Sequence, residues 1–268
     1  MSQCRSLALL ATILAAVAAQ RLGLHRAATE GQVEPLKVAI RGRYDEYNDR
    51  WKKPDIDGQN AKGHVALHLA LCNLRGDIEV VRALLDQNAN PNARDRTGQA
   101  PLHAVAHGCS ADEEDGSSHL LIKAARLLLK HGADTEAVDA SQRTPLHVAA
   151  SHGRTALVSM LIAKGANPNA QDASGATPLH LAARALEARV VLSLIEAGAD
   201  PQLEDSAGAM ARDAASAADS QSKKIRSYID DAAGLHAQAL EARKQAKAEK
   251  AKAKAAAKQA EANGKAEL

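Results

Sequence analysis

Histidine and cysteine are the side chains through which this sequence could hold a metal or move a proton. It carries eleven His and three Cys in 268 residues. His103 and His107 stand four apart, which sets two imidazoles on one helix face, with Cys109 and Asp112 close behind. This is the one constellation with plausible metal spacing, and no second cluster completes a site. Cys109 is followed by Asp112, Glu113, Glu114 and Asp115, and negative charge raises a thiol pKa. Cys72 lies in an apolar helical stretch and reads as a small core residue. Cys4, Cys72 and Cys109 form neither a CxxC nor an even framework, which excludes disulfide scaffolds and zinc modules. The hydrolase elbow GxSxG, the phosphate-binding P-loop, HExxH and GxGxxG are absent as well. The expectation is a non-enzyme with no metal and no cofactor.

His103 belongs to a series that organises the chain. The pair Leu-His recurs at Leu24-His25, Leu67-His68, Leu102-His103, Leu146-His147 and Leu179-His180, at spacings of 43, 35, 44 and 33. The excess over 33 marks inserts near 41–53 and 107–119. The most regular copy runs from Arg143 to Gly175. In it Thr144 sits where a helix N-cap is needed and Pro145 at the first helical position, whose N–H has no partner anyway; Thr177 and Pro178 repeat the pattern. Leu146, Ala149 and Ala150 form an apolar face small enough for close helix approach. Gly153 then breaks to a second helix carrying Leu157, Val158, Leu161 and Ile162. Gly165 ends that helix in the left-handed cap position, where the second copy has Asn88. The last copy is degenerate: Met210-Ala211-Arg212-Asp213 replaces Thr-Pro-Leu-His, and polar residues follow, as a terminal cap requires.

On its T-P-L-H-x-A-A, L-L-x-x-G-A-D and D-x-x-G elements, the sequence closely resembles the ankyrin repeat family over residues 22–231. The resemblance implies an all-α solenoid of five stacked repeats and a capping sixth. It implies that His25, His68, His103, His147 and His180 tie adjacent turns together by hydrogen bonds. It also implies a concave groove, lined by turn tips and first helices, that binds a protein partner.

Composition agrees with a stack of small interfaces. The chain has one Trp, three Tyr and no Phe, so its core is aliphatic. A net charge of +2 gives no overall bias towards nucleic acid. The ends differ from the middle. Residues 1–21 combine Arg5, an apolar run from Leu7 to Ala19 and small residues before Gln20 and Arg21, the parts of a cleavable secretory signal. An apolar helix capping the first repeat and a mitochondrial presequence fit the same residues. The run is too short for a membrane span, which needs about 20 apolar residues. With a real signal the protein is exported (secreted, periplasmic or in the ER lumen); otherwise it is cytoplasmic. Residues 232–268 form a tail rich in Ala, Lys and Glu, with eight Lys and Arg against four Glu from Gly234 on. Its helix propensity is high, but it offers little apolar stripe to pack.

The binding candidates lie on the surface. The tips read Lys62-Gly63-His64, Arg94-Asp95-Arg96, Asp139 to Arg143, Asp172 to Ala176 and Glu204-Asp205. Lys62, His64, Arg94, Arg96 and Arg143 would make the groove basic towards its N-terminal half and orient an acidic segment there. Tyr44, Tyr47 and Trp51 gather in the first insert, and fall on one face if the preceding helix continues through it. Such a stripe is either a binding hot spot or a cover for the first repeats. The function expected is non-catalytic protein binding by a monomer. The alternative is attachment of the basic tail to nucleic acid or an anionic membrane surface.

Overall fold

The computed structural model describes residues 23–30, 43–45, 50–52, 55–60, 63–72, 78–108, 117–215 and 220–234, with the backbone alone for 43–45, 50–52 and 117–118. The N-terminal apolar run, nearly all of the tail, Tyr47, Lys62, Cys109 and Asp112 lie outside the described residues.

Among the described residues, helices come in pairs from the second repeat on. Repeat one begins with α1 (23–30). Repeats two and three are α2 (Ala66–Cys72) with α3 (Glu79–Asp86), and α4 (Pro101–His107) with α5 (Ser117–Lys130). Repeats four and five are α6 (Pro145–Ser151) with α7 (Thr155–Ala163), and α8 (Pro178–Arg184) with α9 (Ala188–Glu196). The sixth is a single-turn α10 (Ala211–Ala214) followed by α11 (220–234). From repeat two to the sixth, successive first helices pack on one another, and in repeats two to five each also packs on the second helix of its own repeat. First helices sit in closer mutual contact than second helices, so the stack bends towards the first-helix side and that side is the inner face.

The reason lies in side-chain size. The leucines of the five Leu-His pairs are each 1% exposed or less, and burying a leucine contributes about 1.5–3 kcal/mol. Between them Ala106, Ala149, Ala150, Ala182 and Ala183 are completely buried, and their single methyl groups let the inner row close up. Leu157, Val158 and Leu161 are the buried face of α7, with Ile162 packed at its margin. Gly165 ends α7 at φ +92°, and Asn88 takes the same backbone at φ +64° after α3, as their shared position in the repeat requires. Ile225 and Ile229 on α11 close the end of the core.

Three expectations are corrected. The stretch from Arg43 to Lys52 is not a helical extension but an antiparallel hairpin, β1 (Arg43–Asp45) with β2 (Arg50–Lys52), in which Tyr44 pairs with Trp51. Aromatic residues favour strands. Cys72 is exposed rather than buried: it is the last residue of α2, one step past the face that buries Leu67, His68, Ala70 and Leu71. The second helix of repeat three begins at Ser117, inside the stretch 107–119 read from the sequence as an insert.

Candidate functional site

The repeat histidines form a ladder down the stack. Each Nε2 donates to a backbone carbonyl of the next repeat: His25 to His64 (3.1 Å), His68 to Gln99 (2.9 Å), His103 to Arg143 (2.8 Å), His147 to Ala176 and His180 to Ala209 (both 3.1 Å). In the last three of these histidines the other ring nitrogen works inside the repeat. The amides of Ala100, Thr144 and Thr177 donate to Nδ1 of His103, His147 and His180 at 3.1–3.2 Å. Thr144 and Thr177 thus hold the N-cap positions, while the histidine three residues later accepts the cap amide. A ring that must accept on one side and donate on the other is neutral. Burial accordingly pushes His68, His103 and His147 below the ordinary imidazole range, although their carbonyl partners pull the other way.

The tips are held by an acceptor eight residues before His68, His103, His147 and His180, and before Asp213, their counterpart in the last repeat. Oδ1 of Asp95, Asp139, Asp172 and Asp205 accepts two backbone amides apiece, two and four residues on, and Asn60 accepts the amide of His64. Burial works to raise Asp95 and Asp139, but these donors, with the Arg143 guanidinium at Asp139, hold both carboxyls below the usual range. Successive tips are joined by backbone hydrogen bonds, the amides of Arg96, Ala140, Ala173 and Ser206 donating to the carbonyls of Gly63, Thr97, Ser141 and Ser174. On the opposite side of the loops Asn92 and Asn169 each bridge to the next repeat, to Gly132 and Gly198.

This network absorbs several residues proposed for binding. Arg143 is fastened to Asp139 through two nitrogens at 2.8 and 3.0 Å, with about a third of its side chain exposed. Arg94 donates to the carbonyls of Gly98 and Val138. His64 contributes its carbonyl to His25 and its amide to Asn60. Arg96 remains exposed on its tip. Tyr44 and Trp51 are placed opposite each other in the hairpin. His103 is committed to the ladder, so its spacing to His107 has a structural use.

The pair that spacing alone did not single out is His107 with His152. These rings, at the far ends of α4 and α6, have centroids 5.0 Å apart in an edge-to-face arrangement. Their sequence signal is faint: each closes a first helix, four or five residues after a ladder histidine. Beside them, between repeats three and four, lies a cleft of about 300 Å³ lined by apolar Val105, Leu121, Ile122 and Leu157. Arg154 is its one ionisable lining residue, which leaves it no acid–base pair.

Comparison with known proteins fits this geometry. A family model described as ankyrin repeats (3 copies) matches residues 24–113 and 118–205. An ankyrin repeat protein of Rickettsia bellii (strain RML369-C) is 39% identical over 107 residues, which is 40% of this chain and 28% of that protein. Cyclin-dependent kinase 4 inhibitor B of Mus musculus is 36% identical over 86 residues, 32% of this chain and 57% of that protein. Cyclin-dependent kinase inhibitor 2A of Homo sapiens is 36% identical over 86 residues, 32% of this chain and 47% of that protein. The chain therefore matches less than two thirds of the length of each of these relatives. With the family model spanning most of the sequence, and the histidine ladder and stacked tips in place, the chain belongs to the ankyrin repeat family.

Proposed function

We propose that this protein acts by equilibrium binding of another protein along its inner groove, without catalysis and without a cofactor. One observation carries the proposal: the ladder histidines and tip aspartates are consumed in holding the scaffold, while another set of polar groups on the inner face and tips has no such duty. His107, His152 and Arg184 belong to that second set. A rigid surface whose variable groups are not needed for folding suits recognition, because little ordering cost accompanies binding. Ankyrin repeats generally mediate protein–protein interaction, and two of the relatives are named as kinase inhibitors, proteins that act on a partner. The identity of the partner here is not carried over from them.

A photo-crosslinking residue tests the groove. Placed at Ala140 or Ala173, exposed on the tips, it should trap a partner in native extract; placed at Lys123 or Arg126, exposed on α5, it should not. Equal trapping from both faces would defeat the proposal. Deleting residues 235–268 separates it from tail attachment: groove binding survives the deletion, and tail binding is lost with it.

A further inference from the structure

The second helices of repeats three and four, on the outer side of the stack, differ from the others in that row. α5 carries Lys123, Arg126 and Lys130 and no carboxylate. Steps of three and four residues place these cations on one helix face, and all three are exposed. Lys164, at the C-cap of the neighbouring α7, is exposed as well. Among the described residues none of the four has an ion-pair partner. α7 itself has no charged residue. Its two hydroxyls are turned back on the backbone, Thr155 donating to the Gly153 carbonyl at 3.4 Å and Ser159 to the Thr155 carbonyl at 3.1 Å. Ala156, Ser159 and Ala163 are its exposed residues, with Met160 and Ile162 half-buried. α3 and α9, by contrast, mix both signs through Glu79, Arg82 and Asp86, and through Arg189 and Glu196.

The carboxylates around this stretch stand at its ends. Glu79 pairs with Arg82, and Asp86, at the end of α3, faces His131 at 3.9 Å. Asp134 and Glu136 follow α5, and their carboxylates accept the amides of Glu136 and Asn167. Asp112 to Asp115 precede α5 in the sequence, before its first residue, Ser117. From Ser117, Lys123 and Arg126 stand about 9 and 14 Å along the helix. Charge is screened over about 8 Å at physiological ionic strength, so the middle of α5 keeps its positive field. Cations on long stems, beside a helix of small uncharged side chains, suit a flat anionic surface. The Lys and Arg tips reach its phosphates, and covering α7 strips water from no charged group.

We propose that the outer face of α5 and α7 docks on the surface of a membrane that contains anionic lipid. Lys123, Arg126, Lys130 and Lys164 meet the lipid phosphates, and α7 lies against the headgroups. Among the described residues no helix is long and apolar enough to cross a bilayer, so this attachment is peripheral. It uses the side opposite the groove and leaves the groove open to a protein partner, which makes it a second function, independent of the first. Nucleic acid fits this face less well. α5 is flanked by α3 and α7, so it cannot enter the groove of a duplex. Neither helix carries an aromatic residue on which a base of a single strand would stack.

Co-sedimentation of the full chain with vesicles of phosphatidylcholine and about 30 mol% phosphatidylserine is the test, at about 0.1 M salt. Vesicles of phosphatidylcholine alone are the control. Binding to the anionic vesicles only is expected, weakening as salt rises. Lys123→Gln with Arg126→Gln should weaken it about thirtyfold, from about 1 kcal/mol for each cation at the surface. Ser159→Glu, a charge placed on the exposed side of α7, should weaken it about fivefold. Both variants change exposed positions, and circular dichroism follows their fold. Lys223→Gln with Lys224→Gln removes as much charge from α11, and Lys250→Gln with Lys254→Gln as much from the tail. Each of these should cost less than about threefold, since neither lies in the contact. Undiminished binding in the α5 variant overturns the proposal, as do equal losses from the α11 or tail variants and absence of binding to anionic vesicles. Tighter binding of a duplex of about 20 base pairs also overturns it, in favour of nucleic acid. Trapping of a protein from Lys123 or Arg126 overturns it in favour of a protein partner on this face. Cross-links from Ala140 and Ala173 do not depend on any of these results, so the groove and the membrane face fail separately.

Discussion

In repeat four the amide of Thr144 donates to His147 Nδ1, and in the last repeat the amide of Met210 donates to Asp213 Oδ2, both at 3.1 Å. The local cap is the same although the residue is not. The difference lies on the other side of the side chain. His147 also donates to Ala176 in the next repeat, whereas a carboxylate has no hydrogen to give. His147 is fully buried, and the Asp213 side chain is about half exposed. Starting a repeat and joining it to the next are thus separate jobs, which the histidine combines and the aspartate divides. A stack can end where the second job is dropped.

The largest effect should come from the core of the regular repeat. Leu161→Ala removes a completely buried side chain, at a cost of about 2–5 kcal/mol. Because neighbouring interfaces carry the stability of a solenoid, hydrogen exchange should quicken in repeats three and five as well as in four. Ile225→Ala in the last repeat, equally buried, should loosen repeat five alone. A loss confined to α7 in the first variant would break the comparison at its root.

His147→Asp then turns repeat four into the last repeat. The cap amide keeps an acceptor, but the Ala176 carbonyl is left with the Asp172 amide as its donor, and a carboxylate enters a buried site. The lost hydrogen bond costs about 0.5–1.5 kcal/mol, and the buried charge adds to that. Asp213→His, by contrast, should stay within about 0.5 kcal/mol of the parent. Chemical denaturation of both variants gives the two numbers, and similar losses would show that position, not chemistry, sets the cost.

Repeat number, helix order and the ladder histidines were legible because they recur: one Leu-His pair means little, and five in phase define a backbone. The left-handed cap at Asn88 was legible for the same reason, by alignment with Gly165. What does not recur was harder. The first insert carries residues of mixed propensity, and its aromatic spacing of three and four fits a helix face as well as it fits two strands joined by a turn. Charge at the tips was visible, but its use was not: sequence does not reveal that Arg143 doubles back on Asp139 or that Arg94 reaches Val138. His107 and His152 meet through stacking of separate repeats, and each alone reads as a helix-ending polar residue.

Acid should separate the two repeats in a graded way. The ladder imidazoles His68, His103 and His147 have folded pKa values lowered mainly by burial from an ordinary 6.5. The unfolded chain therefore binds protons first. The stability these groups support is full above about pH 6.5 and is lost as pH falls through that value towards the lower folded pKa. Site-resolved hydrogen exchange at pH 8.0 and 5.5, corrected for intrinsic rates, should show protection falling in repeats two to four before the last one. The last repeat starts without a ladder histidine, so its cap should hold. Uniform loss would mean that the ladder does not govern the acid response.

The smallest effect tests a flaw in the regular repeat itself. At the tips the third residue after the Asx acceptor is Gly63, Gly98, Gly175 and Gly208, with φ between +75° and +77°. Repeat four has Gln142 there, at φ +59°. A left-handed backbone costs an L-residue about 1–2 kcal/mol, and glycine nothing comparable. Gln142→Gly removes that strain but gives the unfolded chain more freedom, which offsets about 0.4–1 kcal/mol. The net should be a gain of about 0.5–1 kcal/mol, seen as a higher midpoint in urea with an unchanged slope. Gly175→Ala is the control of opposite sign. It adds the same backbone strain, and its Cβ would stand 2.8 Å from the amide nitrogen of Ser206 in the next tip. Since Ser206 is bonded to Ser174 and cannot withdraw without breaking the tip ladder, this change should cost more than Gln142→Gly recovers. If Gln142→Gly destabilises instead, the glutamine side chain contributes a contact that outweighs its backbone strain, and repeat four is regular for a different reason from its neighbours.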